Sequence, residues 1–299
     1  MQRLTEHLYA ETNYHWANVG AAVTEAGMVL IDCPVRPSQS RHWQDALRKL
    51  SPKGIRYLIG TDYHVDHTTG ISFVDGDFVF VAPQRVFEEL QKIRGNTRTT
   101  RKTFTDTLLD MGQPEEAEQV ATAEIPDPQV CFDDRMTLHL TPLTFEIYRK
   151  GGHTPACTTV LVPEEGVLFS GDVMINEAGP GMRDASINDW IDALDWMEKL
   201  PVQHIVPGHG EVCTVREVHA LKEQFIEIRG MMRDLVRAGR GKTEAAADPV
   251  FEKYFWSDTT RGPSWVEGRR VTFRKGLEKL YEEASVDVGR SALARDGRA

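Results

Sequence analysis

Thr61-Asp62-Tyr63-His64-Val65-Asp66-His67 sets two imidazoles and two carboxylates side by side, directly after the apolar run Ile55 to Gly60. Three later phrases have the same flavour: Gly151-Gly152-His153-Thr154, Ser170-Gly171-Asp172 and Pro207-Gly208-His209-Gly210. Each follows its own apolar stretch, so the edge of one sheet can gather them all. Taken singly they are ordinary, since a His-x-Asp-His string serves equally well in a solvated loop. Together, Asp62, His64, Asp66, His67, His153, Asp172 and His209 form a nitrogen and oxygen donor set suited to two divalent metal ions. Loops leaving strand ends converge such side chains while the sheet holds their geometry. Read as an extended loop, the motif puts Asp62, His64 and Asp66 on one side at period two and His67 on the other.

In this order and these contexts the residues resemble the metallo-β-lactamase superfamily. One position departs, because Asp62 stands where the H-x-H-x-D-H signature has its first histidine. The resemblance covers about residues 5–215 and implies a four-layer αβ/βα sandwich. It also implies two metal ions, zinc above all, with Asp62, His64 and His153 on the first, Asp66, His67 and His209 on the second, and Asp172 bridging. A hard oxygen ligand at 62 makes manganese or iron more competitive. The alternative for Asp62 is that it only hydrogen-bonds a ligand or a metal-bound water and leaves the first site weak or empty.

The same resemblance implies attack by a metal-bound hydroxide on a small-molecule ester, thioester, lactone or amide, with Asp66 and Asp172 holding the nucleophile. The glyoxalase-II-like and cyclase-like branches are closest in build. The alternatives are a phosphodiesterase, a mononuclear iron sulfur-dioxygenase-like oxidoreductase, and a binding protein without turnover. In relatives the loop equivalent to Tyr14-His15-Trp16 overhangs the metals, so these three are candidates for a substrate lid. Tyr63 and Arg183, the latter in the Asn176–Asp184 loop, are candidates for orienting the substrate. The bland alternatives are that Trp16 packs under the sheet and that His15 is structural.

With 299 residues and 40% hydrophobic content, the chain can bury a large core. Its net charge of −10 argues against polymeric nucleic acid as partner or substrate, since that binding needs clustered basic residues. The N-terminus lacks the apolar run of a signal peptide, and no stretch approaches the ~20 apolar residues of a membrane span. A cytoplasmic protein is expected. Cys33, Cys131, Cys157 and Cys213 are scattered without a C-x-x-C pair, which predicts reduced thiols, Cys157 serving as a small buried hydrophobe.

Along the chain, residues 19–32 read as two strands around a turn at Glu25-Ala26-Gly27, and Ser38 to Leu50 has helical spacing. Strands follow at Ile55–Gly60 and Phe78–Val81, then a helix after Pro83. A helical insertion is expected near 95–128. The basic run Lys92, Arg94, Arg98, Arg101 and Lys102 is either a solvated face or an attractor for an anionic substrate. Strands near Met136–Leu140, Leu143–Tyr148, Thr158–Val162, Gly166–Phe169 and His204–Val206 lead to the later ligands, and Ser186-x-x-Asp189 opens a helix. Val218, Leu221, Phe225, Ile228, Met232 and Leu235 form an amphipathic stripe, covered by the chain's own body or by a second copy in a homodimer. These readings divide the chain into a catalytic domain over 1–215, a helical extension over 216–284 and a disordered tail over 285–299.

Overall fold

The computed structural model describes residues 1–176, 181–255, 257 and 262–295. The first half runs β1 (Gln2–Arg3), β2 (Leu8–Glu11), β3 (Val19–Thr24), β4 (Gly27–Ile31), α1 (Pro37–Arg48), β5 (Ile55–Ile59), α2 (Val65–Thr68), β6 (Val79–Pro83) and α3 (Gln84–Ile93). Three short helices, α4 (Thr97–Thr100), α5 (Lys102–Asp110) and α6 (Pro114–Thr122), precede β7 (Val130–Phe132). These seven strands make one sheet in sequence order, antiparallel through β4 and parallel from β4 to β7.

The second half contains β8 (Arg135–Leu140), β9 (Leu143–Arg149), β10 (Thr158–Val162), β11 (Val167–Ile175), α7 (Ile187–Met197) and β12 (His204–His209). Its five strands pair in the order β12-β11-β10-β9-β8, with β11 and β12 parallel. Helices α8 (Val215–Arg237), α9 (Lys242–Ala246) and α10 (Pro263–Arg295) complete the chain.

Strand alternation explains the layering. In β4, Val29 and Ile31 join Phe145, Ile147, Val160 and Phe169 between the two sheets, whereas Met28 and Leu30 face Trp43 and Leu47 of α1. The outer face of the second sheet is covered in the same way by α7 and α8, around Trp190, Leu194 and Phe225. The result is the expected four-layer αβ/βα sandwich with C-terminal helices.

The stripe on α8 is covered within the chain. Val218, Leu221, Phe225, Ile228 and Met232 pack with Met197 of α7 and with Leu277, Leu280 and Ala284 of α10, each buried side chain contributing about 1.5–3 kcal/mol. No helix among the described residues is long and apolar enough to cross a membrane.

Two expectations change. Strands β11 and β12 run beyond Phe169 and Val206, through Asp172 and His209 themselves, with irregular register around Gly171. Helix α10 continues to Arg295, so the segment from 285 to 295 is helix rather than tail. Its polar composition hides an anchor, the ion pair of Asp287 with Arg233 on α8. Residues 296–299 lie outside the described residues. The basic run keeps its reading as a solvated face at four positions, where exposed Lys92, Arg94, Arg98 and Lys102 pair with Glu89, Asp127, Glu118 and Asp106; Arg101 alone of the five is buried, donating to the Val120 and Ala123 carbonyls. None of the five lines the cavity described below.

Candidate metal centre

The motif begins where β5 ends, but it does not stay extended. His64 precedes the first turn of α2, and the His67 amide donates to the His64 carbonyl (3.0 Å). The period-two expectation fails there because helical turning places Asp66 and His67 together. His153 comes from the loop between β9 and β10, Asp172 from within β11 and His209 from the end of β12. Two clusters result, Asp62, His64 and His153 in one, and Asp66, His67 and His209 in the other, with donor atoms within 4.8 Å of one another in each.

Asp172 joins them. Its Oδ1 lies 3.3 Å from both His67 Nε2 and His209 Nε2, and its Oδ2 lies 3.2 Å from His153 Nε2. Asp66 Oδ2 is 3.3 Å from His209 Nε2, and His64 Nδ1 is 3.0 Å from His153 Nε2. Gly208 makes this approach feasible, since a Cβ there would sit 1.9 Å from Asp172 Oδ1.

Partners behind the rings fix which nitrogen faces inward. His67 Nδ1–H donates to Asp32 Oδ2 (2.8 Å), His64 Nε2–H to Asp184 Oδ2 (2.9 Å) and His209 Nδ1–H to the Trp16 carbonyl (3.1 Å). The opposite nitrogen of each ring thus faces the cluster, where it would give its lone pair to a metal ion in place of a proton. His67 Nε2 and Asp172 Oδ1 are buried with no hydrogen-bond partner, a costly arrangement that a cation resolves. The donor set fits zinc or another first-row divalent ion.

Electrostatics point the same way. Burial opposes charge on His209, yet Asp172 and Asp66 outweigh it and raise its pKa to about 9, whereas burial holds His153 near 4 and neutral. Burial would raise Asp172 as well, but His209, His67 and His153 keep it well below the usual carboxylate range. The carboxylates thus attract positive charge to this point.

Asp32 and Asp184 were not anticipated. Asp32 had a faint signal, a carboxylate closing the wholly apolar strand β4, with a left-handed backbone (φ 54°). Asp184 had none. Cys157 is buried as expected, but its thiol donates to Asp62 Oδ2 (3.0 Å), and burial reinforced by Asp62 keeps it protonated.

A cavity of about 670 Å³ opens over the cluster, within the ordinary size range of small-molecule sites. Tyr14, Trp16, Tyr63 and Arg183 line it; His15 does not, its Nδ1 lying 3.0 Å from Gln39 Nε2 at α1. Trp16 is almost wholly buried against Phe104 (5.0 Å between rings). Part of the Asn176–Asp184 loop, residues 177–180, lies outside the described residues.

Helix α10 supplies an unanticipated wall, Trp265 and Arg269. It comes this close because Gly276 has no Cβ, which would otherwise meet Met182 Cβ at 2.2 Å. A methyl at Gly181 would touch both Arg269 Nη1 (3.1 Å) and His153 Cε1 (3.3 Å), so the guanidinium reaches the edge of the centre.

Over residues 17–209 the chain matches the metallo-β-lactamase superfamily, and it belongs to that family. It is 25% identical over 224 residues to a metallo-β-lactamase type 2 from Elizabethkingia meningoseptica, covering 71% of this chain and 78% of the relative. A metallo-β-lactamase from Pontibacter korlensis superposes with a TM-score of 0.60 at 16% identity, over 75% of this chain and 97% of that one. The stereoselective inverting sec-alkylsulfatase Pisa1 from Pseudomonas sp. gives 0.68 at 16% identity, over 94% of this chain and 49% of that one.

Proposed function

We propose that the chain is a metal-dependent hydrolase of a small-molecule ester, thioester, lactone or amide that carries negative charge near the scissile bond. The observation that carries this is the paired donor cluster, with Asp172 Oδ1 and His67 Nε2 unsatisfied, opening into a small-molecule cavity. Asp66, His67 and His209 with Asp172 would hold one divalent ion; His64 and His153 with Asp172 would hold the other. Bound there, such ions supply a water acidic enough to ionise near neutral pH and a Lewis acid for the substrate oxygen.

The protein does the rest. Asp66, kept ionised by His67 and His209 against the effect of burial, accepts a hydrogen bond from the attacking water and orients it. Trp16, Phe104 and Trp265 form an apolar wall that excludes bulk water and seats the substrate's apolar part. Cys157 offers no nucleophile, since its thiol is committed to Asp62 and held protonated.

Arg183 and Arg269 favour a second reading, a sulfate or phosphate ester of an apolar alcohol. The alkylsulfatase likeness spans the C-terminal helices, so these do not by themselves favour a glyoxalase-II-like or cyclase-like branch. Carboxylic esters, thioesters, lactones, amides, sulfate esters and phosphodiesters should be assayed in ¹⁸O-labelled water, before and after chelation. Turnover lost on chelation, restored by zinc or manganese, and placing one labelled oxygen in the product is expected. Chelator-resistant turnover, or oxygen uptake in place of hydrolysis, would overturn the proposal.

Arg269→Gln should raise KM for anionic substrates by roughly 10–100-fold, the loss of a charge-assisted bond of about 1.5–3 kcal/mol. Neutral analogues should change only a few-fold. An equal effect on both would remove Arg269 from substrate binding.

A further inference from the structure

We infer that Asp62 anchors the motif loop rather than binding metal, and that the two metal positions are consequently unequal. The inference rests on the reading that the centre holds divalent ions, and not on what is hydrolysed.

Distances carry the first part. Asp66 and Asp172 approach the inward imidazole nitrogens at 3.2–3.3 Å, the separation of neighbouring ligands on one tetrahedral ion. Asp62 lies within 4.8 Å of the His64 and His153 nitrogens, yet neither of its oxygens comes within 4.0 Å of them. With metal–ligand bonds of about 2.0–2.1 Å, even two ligands on opposite sides of an ion are only about 4.2 Å apart. A shared ion would therefore need an almost linear arrangement.

Hydrogen bonding carries the second part. Asp62 is fully buried, and its two oxygens have about four in-plane lone pairs. The Tyr63 and His64 amides donate to Oδ1 (2.6 and 3.3 Å), Cys157 Sγ–H donates to Oδ2 (3.0 Å), and the Thr154 hydroxyl lies 3.0 Å from both. Four donors thus occupy the carboxylate. Since Thr154 adjoins His153 and the amide is that of His64, Asp62 ties together the two histidines of the first position. It is a positioning residue.

The first position then has three donors, His64, His153 and Asp172 Oδ2. The second has four: Asp66, His67, His209 and Asp172 Oδ1. Loss of an outer partner alone typically weakens a metal site 10–100-fold, so a missing ligand should separate the affinities by about 100-fold or more.

Chelator-stripped wild-type protein should be titrated with zinc at pH 8.5 by calorimetry with a competing chromophoric chelator. Two separated steps are expected, the tight one lost in His209→Ala and only the weak one lost in His153→Ala. Asp62→His, which restores a third imidazole, should strengthen the weak step at least tenfold. A crystal structure of the zinc-loaded wild type should show both Asp62 oxygens outside bonding distance. Two steps of equal affinity, an Asp62 oxygen about 2.0–2.2 Å from an ion, or an Asp62→His variant that melts like wild type without gain, would each overturn the inference. Binding of no metal would overturn the metal reading itself.

Discussion

Asp172→Asn should lower kcat/KM for hydrolysis by roughly 10³-fold or more. The carboxylate is nearly inaccessible and lies 3.2–3.3 Å from His67, His153 and His209. Asparagine keeps its shape but removes the charge and presents an amide N–H₂ where the centre needs acceptors. Metal catalysis typically supplies several kcal/mol of transition-state stabilisation, and about 4 kcal/mol corresponds to roughly 10³-fold in rate. Steady-state kinetics with metal content measured on the same preparation tests this. A variant that keeps two equivalents of zinc and loses less than tenfold in kcat/KM would remove Asp172 from the reacting centre.

Gly208→Ala should be nearly as damaging, although Gly208 carries no chemistry. The added methyl would sit 1.9 Å from Asp172 Oδ1 and 2.8–2.9 Å from the backbone of Gly171 and Asp172, so rotation of one side chain cannot relieve it. Either the carboxylate swings out of the cluster or β11 and β12 separate locally. Overpacking of this kind costs about 1–3 kcal/mol in stability, and displacing the bridging carboxylate by even 1 Å should cost on the order of 10²-fold in activity. Zinc stoichiometry, kcat/KM and the melting temperature should all fall. The control is Gly230→Ala in α8, where a Cβ meets nothing within 4 Å and removing a helical glycine should help slightly. If Gly208→Ala binds zinc and turns over like the control, the packing explanation is wrong.

Much of the fold was legible in the chain alone because strand and helix periods are local. The all-apolar run of β4, the turn before Gly27 and the three-and-four spacing of α8 each predict an element that the structure contains. The candidate donors were legible for a related reason: His153, Asp172 and His209 sit in glycine-rich phrases that state both the chemistry and the tight backbone it needs. Gly208 shows what such a glycine is for, room for a neighbour's carboxylate.

What the sequence by itself determined was therefore the layers, their order and the donor types. Tertiary structure decided which groups stand behind and above those donors. Asp32, Asp184, Thr154 and Cys157 act through partners far away in sequence, and no periodicity encodes such pairings. The same holds for Trp265 and Arg269, which line the cavity because α10 folds back against α8 and past Met182. A carboxylate at position 62 reads as a ligand from its place in the motif. Whether its lone pairs face a metal or four protein donors depends on the long-range packing that surrounds it.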